Sequence, residues 1–141
     1  MTQLILRRIL EAPRAAVWRE WTDPAELSSW FWPTEYHAFC SITAEPGGHW
    51  RLASKPMDMG AEGEFIIVEH ERRLVFTWKW DRDRHQTVTT VSLTDEPDGG
   101  TAMLVAQGDF TSDAEMEQQE KVWRQSLERL NARLSIRTGG H

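Results

Sequence analysis

The sequence predicts an α+β fold in which one long C-terminal helix lies across a curved antiparallel sheet of roughly seven strands, with two short helices near the start. Three observations predict it. Two helix starts crowd together before Pro33, alternating segments punctuated by turns fill residues 34–108, and the hydrophobic period turns helical after Ser112.

Leu4, Leu6, Ile9 and Leu10, set among Arg7 and Arg8, suit a first strand over 3–11. Pro13 then stands where a helix can begin, because its missing N–H costs nothing there. That helix carries Val17, Trp18 and Trp21. Asp23-Pro24-Ala25-Glu26 starts a second one, with Asp as N-cap, Pro in the first turn and Glu three residues after the cap. Leu27, Trp30 and Phe31 give it an apolar side, and Pro33 stops it.

Beyond Pro33 the reading is strand and turn. Pro46-Gly47-Gly48 is a turn, and Trp50 and Leu52 share one face of the strand after it. Residues 55–63, with Pro56, Gly60 and Gly63, read as a longer connection. An apolar run over 65–68 follows. Leu74, Phe76, Trp78 and Trp80 then alternate with Val75, Thr77 and Lys79, so one face of that strand is very apolar. Residues 87–93 are rich in Thr and Val, Asp98-Gly99-Gly100 is a hairpin turn, and 101–107 run back. Neighbouring strands with short turns make an antiparallel meander.

Ser112-Asp113-Ala114-Glu115 is a capping box. Met116, Trp123, Leu127, Leu130 and Leu134 recur at helical spacing, interrupted by Glu120, so one helix is expected over 112–135. The whole reads as one domain over 1–137 with a frayed tail over 138–141.

Composition sets outer limits. The chain has 141 residues, 40% of them hydrophobic, enough for a core, and its formal charge of −6 argues against a nucleic-acid groove. No apolar stretch is long enough to span a membrane. Cys40 is the sole cysteine, so neither an intrachain disulfide nor a multi-thiolate metal site can form. A cytoplasmic protein is expected. No cofactor and no metal are expected either, because none of His37, His49, His70, His85 and His141 has metal-ligand spacing with another. Asp81-Arg82-Asp83-Arg84-His85 reads as a solvated charged loop, and Cys40 as a buried, inert thiol.

Certain words along the chain carry a resemblance. They are Ala12-Pro13 before Val17-Trp18, Thr22-Asp23-Pro24 before Leu27 and Trp30, Trp30-Phe31-x-Pro33, and Pro46-Gly47-Gly48-x-Trp50. Arg73-Leu74-Val75-Phe76-Thr77-Trp78-x-Trp80, Gly100-Thr101 and Trp123-x3-Leu127-x2-Leu130 follow in order. Together they resemble the SRPBCC (START-like, birch-pollen-allergen-like) superfamily, in the branch named after the C-terminal domain of the activator of the heat-shock-protein-90 ATPase. The resemblance implies a helix-grip fold with a cavity under the long helix. Three positions depart from the branch. Trp32 stands where Gly is frequent and adds bulk at the expected pocket mouth. Ile67 replaces a frequent Glu, and Val122 a frequent Gly, which is expected to lift the helix off the sheet.

Strand parity and this fold nominate a cavity lining. Trp32 lies at the mouth; Trp50, Leu52, Phe76, Trp78 and Trp80 come from the first strands; Val91, Met103, Val105 and Gln107 come from the last ones; and Met116, Trp123 and Leu127 come from the helix. Gln107, a polar residue ending an apolar inward row, is either hydrogen-bonded structurally or the polar handle of a pocket. No residue is nominated as catalytic. The expected function is binding or carriage of a small hydrophobic or aromatic molecule. The alternatives are a partner of a chaperone ATPase or transcriptional regulator, a cyclase- or aromatase-like enzyme, or a stress-linked domain without ligand. A homodimer is compatible with each.

Overall fold

A computed structural model describes residues 2–139, with side chains over 3–135. The elements are β1 (Thr2–Leu10), α1 (Arg14–Thr22), α2 (Pro24–Trp30), a 3-10 turn (Thr34–Tyr36), β2 (Phe39–Ile42), β3 (His49–Ser54), β4 (Met59–Glu69), β5 (Arg73–Trp80), β6 (Thr87–Asp95), β7 (Thr101–Phe110) and α3 (Asp113–Gly139). The expected tail over 138–141 falls partly on the last turn of α3 and partly, at 140–141, outside the described residues.

The strands form one seven-stranded antiparallel sheet in the order β1-β7-β6-β5-β4-β3-β2. Strands β2 to β7 are a meander, and β1 joins its far edge beside β7. The chain from β1 to β2 must therefore cross the whole sheet, and α1 and α2 make that crossing. With α3 they cover the apolar face, the helix-grip arrangement.

Local chemistry accounts for the helix ends. Asp23 Oδ1 accepts from the N–H of Ala25 at 2.9 Å and of Glu26 at 3.2 Å, capping α2. Ser112 Oγ accepts from Glu115 N–H at 3.1 Å and caps α3. The reciprocal half of each expected box is put to other use. The Glu26 carboxylate pairs with Arg133, and that of Glu115 with the Thr111 hydroxyl.

Strand β4 corrects the sequence reading. The connection after β3 is only 55–58, because Met59, Gly60, Ala61, Glu62 and Gly63 pair with β3. Glycines that suggested a loop serve close approach instead. Trp50 of β3 donates its indole N–H to the Thr77 carbonyl of β5 at 3.0 Å, passing β4 at Gly63. A Cβ on Gly63 would sit 1.8 Å from that carbonyl and 2.4 Å from the indole nitrogen. A register shift between Phe65 and Ile67 then breaks the apolar run, so Phe65 faces in and Ile66 faces out.

Helix α3 is seated on the sheet by Trp123, Leu127 and Leu130, none with measurable exposure, and by Leu134. Val122 is half-buried, and Trp123 beside it reaches the sheet directly. Arg129 donates to the Trp30 and Phe31 carbonyls, both at 2.8 Å, and so satisfies the C-terminal end of α2. Arg133 meets Glu20 at 2.9 Å and also Glu26. Burial pulls the Arg133 pKa down, but the hydrogen bonds it donates to Glu26 and Glu20 outweigh it, so the guanidinium is held above its ordinary value.

Gly63→Ala should lower stability by about 2–4 kcal/mol, because backbone and an indole must move. Gly47→Ala, at φ +84° with open space around it, should cost only about 1 kcal/mol. Urea unfolding midpoints measure both, and equal losses would contradict the tight passage at Gly63.

Candidate functional site

The rings that cover the sheet do not close completely. A cavity of about 30 Å³ lies between α1–α2 and strands β2–β5. Trp21 of α1, Leu27 of α2 and Phe31 form its roof; Ile42, Trp50, Leu52, Phe65, Leu74, Phe76 and Trp78 form its floor and sides. The lining is apolar apart from indole nitrogens. Its aromatic walls brace one another. Trp50 lies 4.9 Å from Trp78 and 5.8 Å from Phe76, Phe31 stacks on Trp78 at 5.5 Å, and Phe65 meets Phe76 at 5.8 Å.

This is not the place that was expected. Most of the space under α3 is filled, because Trp123 occupies it and packs on Phe31 at 5.1 Å and on Trp78 at 6.2 Å; a smaller recess stays open beside the first turns of α3, lined in part by Gln107, Trp78 and Trp80. Of the nominated residues, Trp50, Leu52, Phe76 and Trp78 line the cavity. Val91, Met103, Val105 and Leu127 are buried in the core away from it, and Met116 is half-buried on the first turns of α3. Trp32 is buried and stacks on Trp80 at 6.1 Å, with planes 8° apart, beside the cavity. Trp21, Leu27, Phe31, Ile42, Phe65 and Leu74 were not nominated. Strand parity signalled Leu74, but the bulge hid Phe65, and nothing local shows that α1–α2 rather than α3 forms the roof.

Gln107 takes the structural side of its two readings. Its amide oxygen accepts from the Trp123 indole at 2.6 Å, and its amide nitrogen donates to the Thr87 hydroxyl at 2.7 Å. Both ends are used inside the protein. Other indoles are less well served: the N–H groups of Trp21, Trp32 and Trp78 are buried without a partner, as is the amide nitrogen of Gln119. Trp21 and Trp78 both line the cavity. Since buried donors are normally matched, these are positions for an acceptor.

Elsewhere the charges pair with each other. Arg51 grips Asp81 through two contacts of 2.8 Å and holds that carboxyl below its ordinary range. Arg82 pairs with Asp58 at 2.6 Å. Among the described residues, no three of His, Cys, Asp and Glu are grouped to hold a metal ion. No described helix is long and apolar enough to cross a membrane. Burial, with the Asp23 carboxylate adding to it, pushes the Cys40 thiol from 9.0 up to about 12.

Residues 11–135 match the family described as Activator of Hsp90 ATPase homolog 1-like protein. The chain belongs to that family. It is the branch of the SRPBCC superfamily that the words along the sequence resemble. No curated protein matches the chain. Solved structures of the same fold include protein MLL2253 from Mesorhizobium loti, with TM-score 0.83 and 22% identity over 97% of this chain and 98% of that one. Protein CV1439 from Chromobacterium violaceum has TM-score 0.79 and 25% identity over 95% and 98%. DynU16, described as a protein in the dynemicin biosynthetic locus, has TM-score 0.80 and 22% identity over 97% of this chain and 48% of its own.

Two outcomes follow. Gln107→Leu should destabilise the protein by about 2–3 kcal/mol in denaturant melts, because it strips a buried indole N–H of its acceptor; an unchanged midpoint would contradict the structural role. Alkylation of Cys40 by iodoacetamide at pH 8 should run about a thousandfold slower than that of a free thiol, following the thiolate fraction. Rates matching free cysteine would show the thiol to be accessible and ionised.

Proposed function

We propose that this chain binds a small hydrophobic or aromatic molecule in the chamber between α1–α2 and β2–β5. One observation carries the reading: the cavity is walled by aromatic and aliphatic side chains, two of them the tryptophans Trp21 and Trp78, whose indole N–H groups lack partners. Apolar chambers with a few polar groups are the ordinary form of a small-molecule site. Transfer of the ligand's apolar surface from water, at about 25 cal/mol per Å², drives association against the cost of lost freedom.

Size dictates how the site is used. A benzene-sized guest needs roughly 150 Å³, far more than the resting space, so a wall must yield. The wall suited to yield is the edge at Ile42. Strand β2 has four residues and pairs on one side only, with β3. The core strands and α3 can then stay in place. The fold recurs in DynU16, of the dynemicin biosynthetic locus, which is consistent with a small-molecule role. The lone cysteine fits a reducing, cytoplasmic setting. A partner-protein role draws on Ile5 and Ile9, 57% and 59% exposed on edge strand β1.

Calorimetric titration with naphthalene tests the reading. Saturable binding in the micromolar range is expected for the natural sequence. Ile42→Trp should fill the chamber from its edge and weaken binding at least tenfold while the protein stays folded. Equal binding by both, or none by either with nothing extractable from fresh protein, would discard the chamber in favour of the partner surface.

A further inference from the structure

Trp78 walls a second, smaller space. A recess of about 20 Å³ lies on the side of the β5–β6 hairpin and the first turns of α3, and Trp78 lines both spaces. Unlike the chamber, the recess has polar walls. Gln107 and Thr87 line it, and so do Gln119, His85, Asp83 and Glu115.

Its hydrogen-bonding capacity is lopsided. Gln107 and Thr87 are bonded to each other, and Gln107 also holds Trp123. The His85 ring Nε2 lies 2.5 Å from the Asp109 carbonyl, which can only accept, so that nitrogen is the donor. What remains unmatched is two donors, the Trp78 indole N–H and the Gln119 amide nitrogen, in side chains of residues 4% and 5% exposed. Both residues line the recess. Buried donors left unmatched are a standing cost, which an oxygen acceptor placed in the recess would reduce.

We infer that the molecule bound in the chamber carries a neutral oxygen acceptor, a ketone or similar carbonyl, which Gln119 and Trp78 recognise in this recess. The inference rests on the proposed binding role of the chamber. Charge selects a neutral acceptor over a carboxylate: Asp83 and Glu115 both line the recess, and the chain as a whole is at −6. An anion would meet repulsion there, and a cationic group, though drawn to the carboxylates, could not accept from the two N–H donors. The two spaces share the Trp78 ring as a common wall, so a polar group on a body in the chamber reaches the recess only where that ring gives way. Gln119 is then a specificity-determining residue, placed by the same helix whose Trp123 anchors to the sheet.

Three naphthalenes of similar shape test this by calorimetric titration: 2-acetonaphthone as the neutral ketone, 2-isopropylnaphthalene as its hydrocarbon counterpart and 2-naphthoate as the anion. The ketone is expected to bind more tightly than its hydrophobicity alone accounts for, and naphthoate most weakly. Gln119→Leu should weaken ketone binding about tenfold, the worth of one good hydrogen bond, and leave the hydrocarbon unchanged. Trp78→Phe keeps a ring but removes the N–H, so it should also lower the ratio of ketone to hydrocarbon affinity, and it carries the test if circular dichroism shows Gln119→Leu unfolded. A ratio unchanged in the folded variants, or naphthoate binding best, overturns the inference while the chamber reading stands. That is also the result if water alone serves the two donors. Binding of none of the three removes the chamber reading and this inference together.

Discussion

Trp123 has no exposure and yet carries an N–H, so its burial requires an acceptor deep in the protein. Gln107 of β7 supplies one and hands the bonding on to Thr87 of β6, a chain of 2.6 and 2.7 Å contacts from helix to sheet. The position of α3 over the sheet follows from this chain. So does the position of much else, because the Trp123 ring also touches Trp21, Phe31 and Trp78. A residue that anchors the long helix thereby sets the height of α1–α2 above β5. The chamber is the space left when large, rigid rings are held at that height.

The polar contacts between helices complete the arrangement. Arg129 and Arg133 reach from α3 to α1 and α2, and Glu20, with no exposure, is one of their partners. A buried ion pair of this kind adds little net stability, since desolvation consumes most of the attraction. Its geometric demand is strict, however. It specifies which turn of α3 lies opposite which turn of α1, and so which faces of the two short helices look down on the sheet.

The protein has an aromatic interior and a surface on which the main charges pair, as Arg51 does with Asp81. Chemistry based on ionisable groups has little to work with in the chamber, whose only polar features are indole N–H groups. Recognition by burial and by hydrogen-bond donation is what such an interior can do. Family membership agrees with that but does not select a ligand, because one fold supports many functions. Selection rests on the particular rings around the chamber and on the few donors they leave unmatched.

Much of the architecture was legible in the sequence because it is local. Asp23 and Ser112 announce helix starts through hydrogen bonds made within a turn, Gly99 answers a left-handed backbone at φ +92°, and the alternation of Leu74, Phe76 and Trp78 marks the inner face of β5. Reading failed where a residue's role depends on a distant one. Gly63 looked like loop, yet it is strand, because it must admit the Trp50 indole on its way to Thr77. Gln107 could be handle or brace until Trp123 was seen to arrive from α3. The chamber under α1–α2 was missed for the same reason. Periodicity states which face of each element is apolar, and the sequence determined those faces. A void forms only where faces from several elements fail to meet, and that mismatch of ring sizes across α1, α2, β3 and β5 was decided by tertiary packing.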